Sequence, residues 1–178
     1  MLLIDKVDKK SYGAKELGLE KGDSIISFNG YPTEDILDYV YYDGQENFTM
    51  DVLTKDGETV TVDVDKYEDE SLGLTFADDG LKIKTCYNDC IFCFVKQMPC
   101  GMRPTLYVKD DDYRQSLLYG NFVTMTNVTD ADLDRIIRLQ FSPLYVSVQA
   151  MNGEVRKKML NNRFADKIWY QLKRLEEG

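Results

Sequence analysis

Three cysteines, Cys86, Cys90 and Cys93, fall within eight residues in the spacing C-x₃-C-x₂-C, directly after a short apolar stretch. No other feature constrains the chain as tightly. Thiols this close cannot staple a fold of 178 residues. The N-terminus, Met1-Leu2-Leu3-Ile4-Asp5, turns charged at once and lacks the long apolar region of a secretion signal. A metal center is the reading left. A four-iron four-sulfur cubane takes four thiolates, so a loop with three leaves one iron open. The fourth cysteine, Cys100, lies seven residues past Cys93. It keeps two alternatives in play, a zinc-stabilised scaffold and a fully ligated electron-transfer cluster. Zinc sites usually bring two C-x₂-C knuckles, and this chain has one.

Composition narrows the function classes. The chain is 43% hydrophobic and 12% aromatic, enough for a packed core. Its net charge of −9 argues against nonspecific nucleic-acid binding, which relies on basic patches. It contains no histidine, which removes His-based acid–base catalysis, His metal ligation and a Ser-His-Asp triad. No apolar run approaches the roughly 20 residues of a membrane span. A reducing cytoplasm suits this cysteine usage.

Residues 1–66 read as a small β-rich module with short helices. Ser11 caps a helix through Ala14 and Leu17, with Gly18 at the left-handed C-terminal position. Lys21-Gly22-Asp23 turns into a strand over 24–28, which ends at the tight-turn pair Asn29-Gly30. Thr33 is expected to cap a helix whose inner face carries Ile36, Leu37, Val40 and Tyr41. A hairpin follows, 48–53 and 58–64 about Lys55-Asp56-Gly57. The run from Ser11 to Gly30 resembles the core of a bacterial PDZ domain of the protease-associated kind, through Ala-x-x-Leu-Gly-Leu-x-x-Gly-Asp-x-Ile-x-x-x-Asn-Gly. That resemblance implies either capture of a peptide C-terminus or protein by strand addition, or a scaffold that binds no free peptide.

Residues 67–80 form an acid-rich linker around the apolar run Leu72-Gly73-Leu74-Thr75-Phe76, read as a solvated surface with a short strand. Beyond it, strands and helices alternate. Strands are expected over 81–84, leading into the cysteine loop, over 121–126, and over 144–148 after Ser142-Pro143. Helices are expected from Thr129 to near Gln140, with a Thr129–Asp132 capping box, and then over 154–160 and 165–177. Such alternation implies parallel pairing through right-handed crossovers, and so a (β/α) barrel with ligands at the strands' C-terminal ends. Tyr119 and Tyr145 are expected in its core.

Four strings, CIFCFVKQMP (90–99), GMRPTLYVKDDDYR (101–114), LYGNFVTMTN (118–127) and SPLYVSV (142–148), are similar to a bacterial family. Its members join a PDZ domain to a radical S-adenosylmethionine (SAM) domain and a C-terminal region of unassigned function. The aromatic Phe92 before the third cysteine also looks like the radical SAM signature. The resemblance implies a 4Fe-4S cluster on Cys86, Cys90 and Cys93, SAM on the unique iron, and the backbone of Phe92 near the adenine. It further implies reductive SAM cleavage acting on an unknown substrate, with a reductant such as flavodoxin or ferredoxin as partner. By their position after the following strand, Thr126 and Asn127 are expected to contact SAM.

The chain departs from this family in three ways. Members continue well past the position of Gly178, so the chain is expected to be truncated within the barrel. Members carry His where this chain has Gln149 and a lysine-like residue where it has Cys100. The run Lys109 to Arg114 offers carboxylates for a cation and a guanidinium for a carboxylate, or else forms a solvated loop. The expected fold class is α/β plus α+β: a PDZ-like domain over 1–66, the linker over 67–80, and the N-terminal half of a radical SAM barrel over 81–178. The rival function is a PDZ-type peptide-binding module whose truncated barrel is non-catalytic.

Overall fold

A computed structural model describes residues 1–178, which divide into two compact units, Met1–Leu81 and Lys82–Gly178. The chain is mixed α/β. No helix is long and apolar enough to cross a membrane.

The first unit is built on one antiparallel sheet of β1 (Leu2–Val7), β2 (Ser24–Phe28), β3 (Tyr31–Pro32), β4 (Asn47–Leu53), β5 (Thr59–Asp65) and β6 (Leu74–Phe76). The strand order is β5-β4-β2-β1-β6, with β3 paired on β2. Helix α1 (Tyr12–Lys15) starts where Ser11 Oγ accepts the Ala14 N–H. Asn29 and Gly30 take φ of 48° and 77°, the positive values a tight hairpin turn between β2 and β3 requires. Phe48, Met50 and Val52 of β4 point into the core at the two-residue period of a half-buried strand.

Helix α2 (Ile36–Asp43) corrects the sequence expectation twice. Its cap is Asp35 rather than Thr33, because the Thr33 N–H is already given to Ile26 O at 2.8 Å and the chain is still in the sheet there. Asp35 Oδ1 accepts the Leu37 N–H at 3.0 Å, and Asp38 reciprocally accepts the Asp35 N–H at 3.2 Å. The inward face is Leu37, Tyr39 and Tyr42, while Val40 is 59% exposed. The rings decide this: Tyr42 stacks on Phe28 at 4.7 Å and Tyr39 meets Phe76 edge-on at 4.9 Å, burying more apolar area than a valine can. The acid-rich segment after β5 also belongs to this sheet. Its strand β6 pairs with β1, and Leu72 and Leu74 are buried. There Gly13 lies so close to the Leu72 carbonyl that a Cβ would stand 2.4 Å from the oxygen.

In the second unit, α3 (Tyr113–Tyr119) precedes β7 (Phe122–Val123). Then come α4 (Asp130–Arg138), β8 (Tyr145–Val146), α5 (Gly153–Leu160) and α6 (Ile168–Glu177). β7 and β8 are parallel, and the Thr129–Asp132 capping box starts the helix between them. Val123, Met125, Leu133, Ile136 and Ile168 form the core, with Val146 and Val148 against it. Tyr119 and Tyr145 lie outside that core. Tyr119 ends α3 at 72% exposure, and Tyr145 stays exposed, edge-on to Phe122 at 5.9 Å.

These strands are shorter than their apolar patterns suggest, and side chains take some of the ladder's donors: the Tyr145 N–H of β8 goes to Ser116 Oγ at 2.8 Å. The Thr124 N–H goes to Asp111 Oδ1 at 2.5 Å, and Met125 turns to φ 63°. Residues 81–84 form no strand. The Lys84 N–H donates to Asp112 Oδ2 at 3.0 Å, and Thr85 makes a single antiparallel bridge with Asp110. The run 109–114 is thus no solvated loop: Asp111, Asp112 and Arg114 are buried, and Asp112 caps α3.

Candidate metal centre

The cysteine loop is held by its backbone and by one buried amide. The Cys86 N–H donates to Lys109 O at 2.8 Å. The Asp89 and Ile91 N–H groups reach Leu160 O and Met159 O at 2.9 and 3.0 Å, satisfying carbonyls that the end of α5 leaves without helical donors. Asn88 is buried at the center of a side-chain network. Its amide N–H donates to Thr124 Oγ1 at 2.8 Å, and its Oδ1 accepts from Thr126 at 2.9 Å and Asn162 at 2.7 Å. Asp111 Oδ2 accepts from the same two threonines at 2.7 and 3.0 Å. Lys109 Nζ donates to Asn88 O at 2.8 Å.

Cys86, Cys90 and Cys93 are free thiols that line one cavity of about 150 Å³. Phe92 shares it, 38% exposed, as do Phe122, Thr124, Ser147 and Gln149. Cys100 is exposed and does not line it. No three His, Cys, Asp or Glu side chains are grouped so as to hold a metal ion. A lone zinc ion needs donors gathered tetrahedrally around one point.

Burial pushes the Cys86 and Cys90 thiols up, and for Cys90 the neighboring Cys86 and Cys93 add to it. The Lys109 cation pulls both back down. A second cation lies fully buried: Arg156, at 0% exposure. Its guanidinium donates to Val148 O (2.8 Å), Ala165 O (2.7 Å), Thr124 O (2.6 Å) and Ser147 O (3.2 Å). Burial depresses its pKa, and the charges of Asp111 and Cys90 work against that. Four carbonyls satisfy its donors, but no carboxylate neutralises it by direct contact. Two cations this close to the thiols suit an anionic thiolate-bound group.

Phe92 is therefore brought together with the three cysteines, while Thr126 and Asn127 are not. Those two line a separate, larger hollow. Thr126 is bonded to Asn88 and Asp111, and Asn127 Nδ2 donates to Thr85 O at 2.9 Å and Asp111 O at 3.3 Å, so both hold the loop in place. Arg114 meets a carboxylate two-pronged, but it is Asp112 of its own chain, at 2.9 and 2.7 Å. Thr124 and Ser147 escaped the sequence reading although their signal was present. Residues 122 and 124, and 145, 147 and 149, alternate with 123, 125, 146 and 148, which face the core.

No curated protein matches the chain. A family model described as a Radical SAM-like domain matches residues 66–178, a span that takes in the cysteine loop and every residue lining its cavity. The chain therefore belongs to the Radical SAM-like domain family.

Proposed function

We propose that this chain holds a 4Fe-4S cluster on Cys86, Cys90 and Cys93 and binds SAM at the iron those thiolates leave open. The observation that carries the proposal is the lining of the cavity, which includes three of the four cysteines and leaves Cys100 out. When bound, the cluster's chemistry is one-electron reduction of SAM, giving methionine and a 5′-deoxyadenosyl radical that takes hydrogen from a substrate. This chain's residues bind, orient and exclude water. Lys109 and Arg156 offset negative charge at the thiolates, and the Asn88–Asp111–Thr124–Thr126 network fixes the loop. Phe92, Phe94 and Phe122 give the cavity an apolar wall. The electron comes from a carrier of the flavodoxin or ferredoxin class, and a reducing cytoplasm suits the exchange. The single C-x₂-C knuckle and the lack of histidine favor this reading over a zinc scaffold.

The Met1–Leu81 unit is read as PDZ-like, supported by the run from Ser11 to Gly30, which forms α1, the turn into β2 and the Asn29-Gly30 hairpin. Anaerobic reconstitution with iron and sulfide, followed by chemical reduction, tests the main proposal. Methionine and 5′-deoxyadenosine should accumulate with added SAM; a fully loaded chain that releases neither contradicts it.

A further inference from the structure

A hollow of about 830 Å³ opens beside the cysteine loop and shares no lining residue with the cysteine cavity. Its size lies within the range of small-molecule sites, about 300–1,000 Å³. Its charge runs against that of the chain. The whole carries −9, yet this lining includes Lys82, Lys84 and Arg163 and neither an Asp nor a Glu. Lys84 is committed, with Nζ on Asp132 at 2.7 Å and over the Tyr113 ring at 4.9 Å. Lys82 and Arg163 form no ion pair; Arg163 lies over the Phe164 ring at 4.6 Å. Two cations without a carboxylate partner in one concave surface match the charge of a phosphomonoester, about −1.5 to −2 at neutral pH.

The walls between these cations are fixed. Asn127 is bound to Thr85 O, and Asn162 donates to Asn88 at 2.7 Å while accepting the Phe164 N–H at 2.9 Å. Asn161 is held at φ 47°. Two rings stand exposed at the same hollow, Tyr87 at 80% and Phe164 at 47%. Phe164 is already covered by Arg163 and by Lys167 at 5.9 Å, so the open face is that of Tyr87, which suits a flat ring carrying an anionic group.

We infer that this hollow binds a small ligand of the mononucleotide class, with Lys82 and Arg163 taking the phosphate and Tyr87 stacking on the base. No thiol takes part, so the inference is independent of the cluster. The probe is AMP, titrated into the metal-free full chain and followed by amide chemical shifts and calorimetry, with adenosine and inorganic phosphate in parallel. AMP should shift the amides of residues 82–87 and 161–164 and bind more tightly than either half alone. Lys82→Glu and Arg163→Glu should each weaken AMP about tenfold, equivalent to about 1.4 kcal/mol. Both side chains are exposed, so the thermal midpoint should hold; if a reversal lowers it, Lys82→Gln and Arg163→Gln carry the test. The inference fails if AMP produces no shifts, if adenosine binds as tightly as AMP, or if the shifts center on 92–95 and 147–149. It also fails if the folded variants bind AMP like the parent chain.

Discussion

Arg156 gives its N–H groups to carbonyls of four residues, Thr124, Ser147, Val148 and Ala165, and so ties the ends of β7 and β8 to the start of the next helical segment. Arg156→Met removes every one of these donors. It leaves the buried Ala165 carbonyl and the half-buried Thr124 and Ser147 carbonyls without this partner, at about 1–3 kcal/mol for each group left unmet, while Val148 O keeps the Ala150 N–H. Urea unfolding should register a loss of about 3 kcal/mol or more. Arg156→Lys should recover only part of it, because three donors on a point charge cannot reach four separated oxygens. Nothing local marks this residue in the sequence. Glu154, Lys157 and Lys158 surround it, and the whole stretch reads as a solvated helix. The cysteines differ because three thiols within one loop share a cavity through local chain geometry, so their spacing alone predicts that they meet. Phe92 lines the same cavity for the same local reason. Thr126 and Asn127 were placed by position along a strand whose end is reshaped by Asp111, a contact between residues far apart in sequence.

Helix α3 shows how an element can hide in a charge run. Three consecutive aspartates, Asp110 to Asp112, suggest a loop, yet Asp112 caps α3 and grips Arg114. Burial opposes the Asp112 charge, but Arg114 and the Lys84 N–H outweigh it and hold the carboxyl below its ordinary pKa. Asp132 is held down in the same sense, with Lys84 and Thr129 outweighing burial. A folded pKa below the unfolded value means the stabilisation is present above the unfolded pKa, about 3.9, and is lost as pH falls through the folded one. Thermal midpoints of the Lys82–Gly178 unit should therefore fall steeply once pH drops below about 4. Asp112→Asn should be less stable at neutral pH and show a shallower acid slope; an unchanged slope would remove Asp112 from this account. Helices α4, α5 and α6 were legible because caps and apolar periodicity are local, and the strands over 81–84 and 121–126 were overextended because side-chain carboxylates took the Lys84 and Thr124 N–H groups.

At the scale of the whole chain, the division at Leu81 and Lys82 carries its own prediction. Strand β6 pairs with β1, and Leu72 and Leu74 lie in the core of the first unit. A fragment of residues 1–81 should give a dispersed amide spectrum, whereas 1–65, lacking β6, should bare the β1 edge and aggregate. Equal behavior of the two would show that the acid-rich segment adds nothing to the sheet. Acid-rich composition hid this pairing, since strand addition at a sheet edge depends on a partner about 70 residues earlier in the chain. The cysteine trio of the second unit is where the proposed chemistry stands or falls. Iron and acid-labile sulfide should be counted after anaerobic reconstitution of the parent chain and of Cys86→Ala, Cys90→Ala, Cys93→Ala and Cys100→Ala. About four irons per chain are expected for the parent and for Cys100→Ala, with cluster assembly lost in the other three. A single zinc per chain, or iron retained without the trio and lost with Cys100, would contradict it.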